Sequence, residues 1–140
     1  MNLVLDASVA LAWCFRDEGG AYPTRVLDSL RHSEAVVASL WTLEVANGLL
    51  VAERRGRITP REVSQVVGHL FALPVVVDPV ERRRALTTTH RLARTRNLST
   101  YDAAYLELAI RHGLPLATLD EELREAANAE GVEIYQGSQG

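Results

Sequence analysis

Three features of this sequence predict one α/β domain built on a central, mostly parallel five-stranded sheet with helices on both faces. Short runs of strand length, at residues 1–6, 35–38, 75–78, 114–118 and 132–135, alternate with segments at helical spacing. Runs such as Leu3-Val4-Leu5 and Val75-Val76-Val77 are continuously apolar, as strands covered on both faces are. With 140 residues and 47% apolar content the chain is large enough for one core, and no repeat, linker or low-complexity segment divides it. The domain is expected over residues 1–135, with 136–140 a flexible tail.

Taken in order, residues 1–6 read as the first strand and 7–15 as the first helix. Asp6 stands between them, at the carboxyl end of a strand, where open α/β sheets bind ligands. It also stands where an aspartate caps a helix. Residues 16–20 are a polar loop, and 23–32 a helix with Val26, Leu27 and Leu30 on one face. After the 35–38 strand, Ser39 is placed to cap a helix over 40–52, LWTLEVANGLLVA. That helix is apolar nearly all round, so burial on most sides is expected, with Thr42, Glu44 and Asn47 as its polar exceptions. Gly56 suits its C-cap. Thr59-Pro60-Arg61-Glu62 is a capping box with proline at the first helical position, opening a helix that runs to Pro74. Residues 80–96 read as a long arginine-rich helix, 99–112 as a helix stopped by Gly113, and 120–129 as an acidic helix.

Composition excludes several chemistries. The single cysteine, Cys14, has no internal disulfide partner and no companions for a zinc or redox site, so core packing is expected. No apolar run approaches membrane-spanning length, and Met1 leads into strand without the basic region of a signal peptide; a cytoplasmic protein is expected. The net charge of −3 neither announces nor excludes a nucleic-acid partner. All 15 basic residues are arginine. The absence of lysine removes P-loop nucleotide binding, and with it receiver and haloacid-dehalogenase chemistry that pairs a lysine with a phosphoryl group. Ala7-Ser8-Val9 after the first strand is not a glycine-rich dinucleotide loop.

Four acids stand out. Asp6 and Asp120 follow strands, Glu44 lies one turn into an apolar helix, and Asp102 is in the first turn of the helix before the fourth strand. Taken singly, capping or the helix dipole explains Asp102 and Asp120. Glu44 requires a partner, whether an arginine, a solvent cleft or a cation, since a buried unpaired carboxylate is costly. Asn47, three residues on, shares its helix face. Jointly, the four are expected at one sheet edge. Clustered carboxylates repel, so such a site wants divalent cations, and oxygen-only ligation suits Mg²⁺ or Mn²⁺. Two ions ~3.5–4 Å apart would clamp both oxygens of a phosphodiester displacement. Ser8 and Thr118 are candidate hydroxyl contacts to a water or a phosphate.

Asp6 in LDASVAL, Glu44 in WTLEVANGL, Asp102 in STYDAAYLELA and Asp120 in LATLDEEL resemble the pattern of the PIN-domain ribonucleases. Within that family they resemble the VapC-type toxins of bacterial toxin–antitoxin pairs. The resemblance runs in order along nearly the whole chain, and Thr118 matches the hydroxyl that often precedes the last acid by two. It implies a Mg²⁺- or Mn²⁺-dependent endoribonuclease, commonly a homodimer, held inactive by a small antitoxin whose C-terminal segment lies across the active-site groove. Asp6 would be the central metal ligand, with Glu44, Asp102 and Asp120 completing the set. A metal-activated water would leave 5′-phosphate and 3′-hydroxyl ends, with transfer, ribosomal or messenger RNA as substrate. The alternative is a PIN-like RNA-binding or protein-interaction module without turnover.

Three arginine clusters, Arg54-Arg55-Arg57, Arg82-Arg83-Arg84 and Arg91-Arg94-Arg96, read as solvated faces or as phosphate contacts. Arg16 is expected nearer the site than these. His90 and His112 read as ordinary helix residues. Trp13, Trp41, Leu43 and Tyr105 read as core, with an apolar groove for a partner helix left open.

Overall fold

A computed structural model of the chain describes residues 1–15 and 20–137. Most of the expected 16–20 loop, including Arg16, and residues 138–140 of the expected tail lie outside the described residues. Four parallel strands form the sheet: β1 (Leu3–Leu5), β2 (Ala35–Ala38), β3 (Val75–Asp78) and β4 (Leu116–Ala117), in the order β3-β2-β1-β4. Helices flank it: α1 (Ala7–Cys14), α2 (Ala21–Ser29), α3 (Leu40–Arg54), α4 (Pro60–Phe71), α5 (Arg82–Arg84), α6 (His90–Arg96), α7 (Thr100–His112) and α8 (Glu121–Ala129).

The α/β class and the parallel sheet agree with expectation; the fifth strand does not form. Residues 132–135 make an isolated parallel bridge, Leu116 to Ile134. Leu116 N donates to Glu133 O (2.9 Å) and Tyr135 N to Leu116 O (2.8 Å). The ladder does not lengthen backwards, because the next residue facing that side, Leu114, donates its N–H to Ala109 O (3.0 Å) at the end of α7. Forwards, Thr118 leaves the sheet to serve Asp6. Pro115, which has no N–H to give β1, and Thr118 shorten β4 from the expected 114–118.

Several boundaries differ for local reasons. Helix α2 begins at Ala21, ahead of Pro23, because proline in a first turn lacks an N–H the helix does not use. The expected 80–96 helix starts at Arg82, where the Glu81 side chain accepts from Arg83 N and Arg84 N, and it is π-helical over Ala85–Thr89. Ser39 does not cap α3; its Oγ accepts from Val80 N (3.1 Å) and ties α3 to the segment after β3. Helix α3 is buried along one stripe, Trp41, Val45, Leu49 and Ala52, rather than on most sides. Leu43, expected in the core, is 75% exposed. The capping box of α4 closes as expected: Glu62 N donates to Thr59 Oγ1, and Thr59 N to Glu62 Oε1, each at 3.1 Å. Gly56 and Gly113 end their helices at φ 74° and 64°, where a residue with a Cβ is strained.

Strand β1 is wholly buried and α7 packs on β1, β2, α6 and α8. Helix α7 is the most enclosed helix segment, every residue from Ala103 to Ala109 being buried. That includes Glu107, whose Oε1 accepts from Arg111 Nε (2.8 Å) and lies 3.3 Å from Arg84 Nε. Arg111 continues to Asp78 at the end of β3 (3.1 Å), which His112 also meets (3.2 Å). These ion pairs hold the carboxyl end of α7 against β3 and α5. Arg84 and Arg96, the latter paired with Glu130, are thereby engaged within the fold. The Cys14 thiol points back at its own helix, donating to Ala10 O (3.3 Å), and burial pushes it up to about 11.

Helices α1 and α3 cross closely at Gly48, where an added Cβ would lie 2.6 Å from Leu11 Cδ2 and 3.3 Å from its Cγ. Gly48→Val should therefore destabilise the protein by about 1–3 kcal/mol, the usual cost of overpacking. Urea denaturation measures it; a variant as stable as wild type would contradict the close crossing.

Candidate active site

Strand order decides where an opening forms. From β1 the sheet grows to β2 and β3 on one side and to β4 on the other, so the connections diverge between β1 and β4. At such a switch point the carboxyl ends of the strands border a crevice. Asp6 follows β1 there, and Thr118 and Asp120 follow β4.

Asp6 is 4% exposed, and both of its carboxylate oxygens accept hydrogen bonds. Oδ1 accepts from Ser8 N (2.8 Å), capping α1, and from Ser8 Oγ (2.5 Å). Oδ2 accepts from Thr118 Oγ1 (2.5 Å). Each hydroxyl is itself fixed by the chain after β4: Ser8 Oγ accepts from Leu119 N and Thr118 Oγ1 from Asp120 N, both at 3.0 Å. A hydroxyl has one proton, and both are committed to Asp6. Ser8 and Thr118, the candidate hydroxyl contacts of the site, thus hold the Asp6 carboxylate.

The other acids come from helices. Glu44 is half-buried on α3, and Tyr105 Oη on α7 donates to its Oε1 (2.5 Å). Asp102 lies in the first turn of α7, its N–H donating to the cap residue Ser99 (Oγ, 3.1 Å). Asp120 caps α8, accepting from Leu123 N (3.1 Å). All four carboxylates line one open cleft of about 370 Å³, and Ser8, Asn47 and Tyr105 border it with them. Asn47 is exposed there, and the hydrogen bond on Glu44 comes from Tyr105. Tyr105 is a contact of the site that pattern reading placed in the core or in an apolar groove. The available signal was a buried phenol, which needs an acceptor, one turn along the helix from Asp102.

Burial pushes the Asp6, Glu44 and Asp102 carboxyls above the ordinary carboxylate range. Neighbouring charge adds to this: Asp6 and Asp102 act on Glu44, and Asp120 and Asp6 on Asp102. No basic side chain is among the described residues lining the cleft. That donor set fits a hard divalent cation, which would relieve the repulsion. Among the described residues no three acids form a ready-made metal cage. A cation that keeps several waters, as Mg²⁺ does, suits such spacing.

Residues 3–129 match the PIN domain family. The chain belongs to that family. Ribonuclease VapC3 of Pyrobaculum aerophilum is 31% identical to this PIN domain over 125 residues, 89% of this chain and 94% of its own length. Among solved structures, PAE2754 from P. aerophilum is 27% identical with a TM-score of 0.67, covering 90% of this chain and 79% of its own. VapC20 of Mycobacterium tuberculosis, a sarcin–ricin loop cleaving toxin, shares the fold at 17% identity and a TM-score of 0.64, covering 96% and 99%.

Two outcomes follow from the Asp6 contacts. Thr118→Val keeps the shape of a fully buried side chain but strips Asp6 Oδ2 and Asp120 N of their partner. It should cost about 1–3 kcal/mol in urea denaturation. The second concerns pH. With its folded carboxyl raised above the ordinary 3.8, the stability Asp6 contributes is full below that value and lost as pH rises through the folded value. In chelator, Asp6→Asn should therefore gain stability relative to wild type as pH is raised from 4 towards 8. Each unit of upward shift is worth about 1.4 kcal/mol. A difference independent of pH would contradict the burial argument.

Proposed function

We propose that this PIN domain is a Mg²⁺- or Mn²⁺-dependent endoribonuclease, the toxin of a toxin–antitoxin pair, hydrolysing RNA phosphodiester bonds. The observation that carries the reading is four carboxylates around one cleft, in a chain 31% identical to a ribonuclease over most of its length. Asp6, Glu44, Asp102 and Asp120 are assigned as the residues that hold the cation and direct the chemistry. A bound divalent cation supplies positive charge against the phosphate and makes a nearby water more acidic.

The chain's own part is orientation. Asp6 is immobilised on both oxygens, so its charge sits at a fixed point at the crevice. Asp102 and Asp120 bring the first turns of α7 and α8 to the cleft, and Asp6 brings that of α1. The partial positive charge of helix N-termini offsets some repulsion among the acids and favours an anionic phosphate. Arginines outside the fold's own ion pairs, such as Arg54, Arg55, Arg91 and Arg94, are the candidates for contacting the RNA backbone. The reading includes a cytoplasmic location, a homodimer and a small cognate antitoxin. Among the described residues no helix is long and apolar enough to cross a membrane.

The test is cleavage of total RNA by the purified protein in Mg²⁺ or Mn²⁺ and in chelator. Wild type should cut with either metal and stop in chelator, and fragment sequencing would name the target RNA. Asp6→Asn should reduce cleavage to background while the circular dichroism spectrum stays that of wild type. A wild type that binds no cation and cuts no RNA would leave the binding-module reading in its place; full activity in Asp6→Asn would overturn the assignment of Asp6.

A further inference from the structure

We propose that Tyr105 is a positioning residue of this site, its phenol setting the orientation of the Glu44 carboxylate before the cation binds. The inference rests on the cation-dependent reading of the cleft and adds to it a residue that touches neither metal nor RNA.

Tyr105 is 1% exposed, and its neighbours on α7, Ala104 and Leu106, are buried with it. A phenol so placed must find an acceptor, because an unpaired buried hydroxyl is costly. It reaches a carboxylate 61 residues away, on α3. The bond is charge-assisted, and at 2.5 Å it is at the short end for an O–H donor. Free glutamate turns about three side-chain bonds; this contact restrains the carboxylate through Oε1. Tyr105 is also one turn from Asp102 on the same helix, so α7 carries one carboxylate of the cleft and aligns another. Groups in this relation to a metal ligand hold it in its binding orientation, and their loss weakens metal binding ten- to a hundredfold.

Tyr105→Phe keeps the ring and removes the hydroxyl. Mn²⁺ binding to the full chain, followed by calorimetry or electron paramagnetic resonance, should weaken by about ten- to a hundredfold. The Mn²⁺ concentration for half-maximal RNA cleavage should rise by a similar factor, while cleavage at saturating Mn²⁺ returns to within a few fold of wild type. In a Glu44→Gln background the same substitution should leave Mn²⁺ affinity where Glu44→Gln alone puts it, because the two act through one contact. Leu108→Ala, a change in the buried part of α7 outside the Tyr105–Glu44 hydrogen bond, should keep wild-type Mn²⁺ affinity. Unchanged Mn²⁺ affinity in Tyr105→Phe, full additivity with Glu44→Gln, or an equal loss in Leu108→Ala would each overturn the inference with the cation site intact. A wild type that binds no Mn²⁺ would remove the site itself.

Discussion

Asp6 receives a hydroxyl proton on each carboxylate oxygen, from Ser8 just after β1 and from Thr118 just after β4, and each hydroxyl is held by a backbone N–H of the segment that follows β4. This closed set of contacts joins the two strand ends that border the crevice. It also accounts for the sheet's shape at that edge. Thr118 turns inward to reach Asp6, which ends β4 after two residues and sends the chain through Asp120 into α8. Remove the carboxylate's demand for donors and nothing in an apolar strand end would bring a threonine and a serine together there. A buried charge is costly unless satisfied, and here hydrogen bonds rather than a basic side chain offset part of the cost, with burial still raising the carboxyl.

Helix α7 transmits a second constraint. At its amino end it carries Asp102 to the cleft; one turn on, Tyr105 holds Glu44; at its carboxyl end Glu107 and Arg111 pin it to Arg84 and Asp78. A helix buried on β1 and β2 and fixed at both ends has little freedom to shift. The carboxylates of α3 and α7 therefore keep their separation from Asp6 without touching it. The two ends also differ in electrostatic sense. Arg111 and His112 beside Asp78 hold its carboxyl below the usual range, so that pair stabilises the folded charge. At the cleft, burial and like charge push carboxyls upward. The acids at the carboxyl end of α7 are paired with basic side chains, and the unrelieved charge lies at the cleft.

Much of this was legible in the residues. Continuous apolar runs between helical segments specify a parallel sheet, because only strands covered on both faces tolerate them. The capping box at Thr59–Glu62 and the glycines at 56 and 113 work over a few residues, so local chemistry sufficed. Asp6 at a strand's carboxyl end, and Glu44 in an apolar helix, were anomalies that asked for a site. Reading failed where the outcome depends on what lies across space. The pattern of α3 cannot say that a single stripe finds a partner, leaving Leu43 to solvent; nor can the 132–135 run say that Leu114 gives its N–H to α7 and denies it a ladder.

By itself, then, the sequence determined the fold class and the helix signals at Thr59–Glu62, Gly56 and Gly113, and marked the acids as anomalies, since these rest on side-chain period and on contacts within a turn. Tertiary structure alone decided that Ser8 and Thr118 spend their protons on Asp6, that Tyr105 holds Glu44 across 61 residues, and that the four carboxylates share one cleft. The physical reason is that a hydrogen bond is fixed by distance and direction to within a few tenths of an ångström. Strand order and helix crossing set those quantities, and neither is written in any one stretch of the chain.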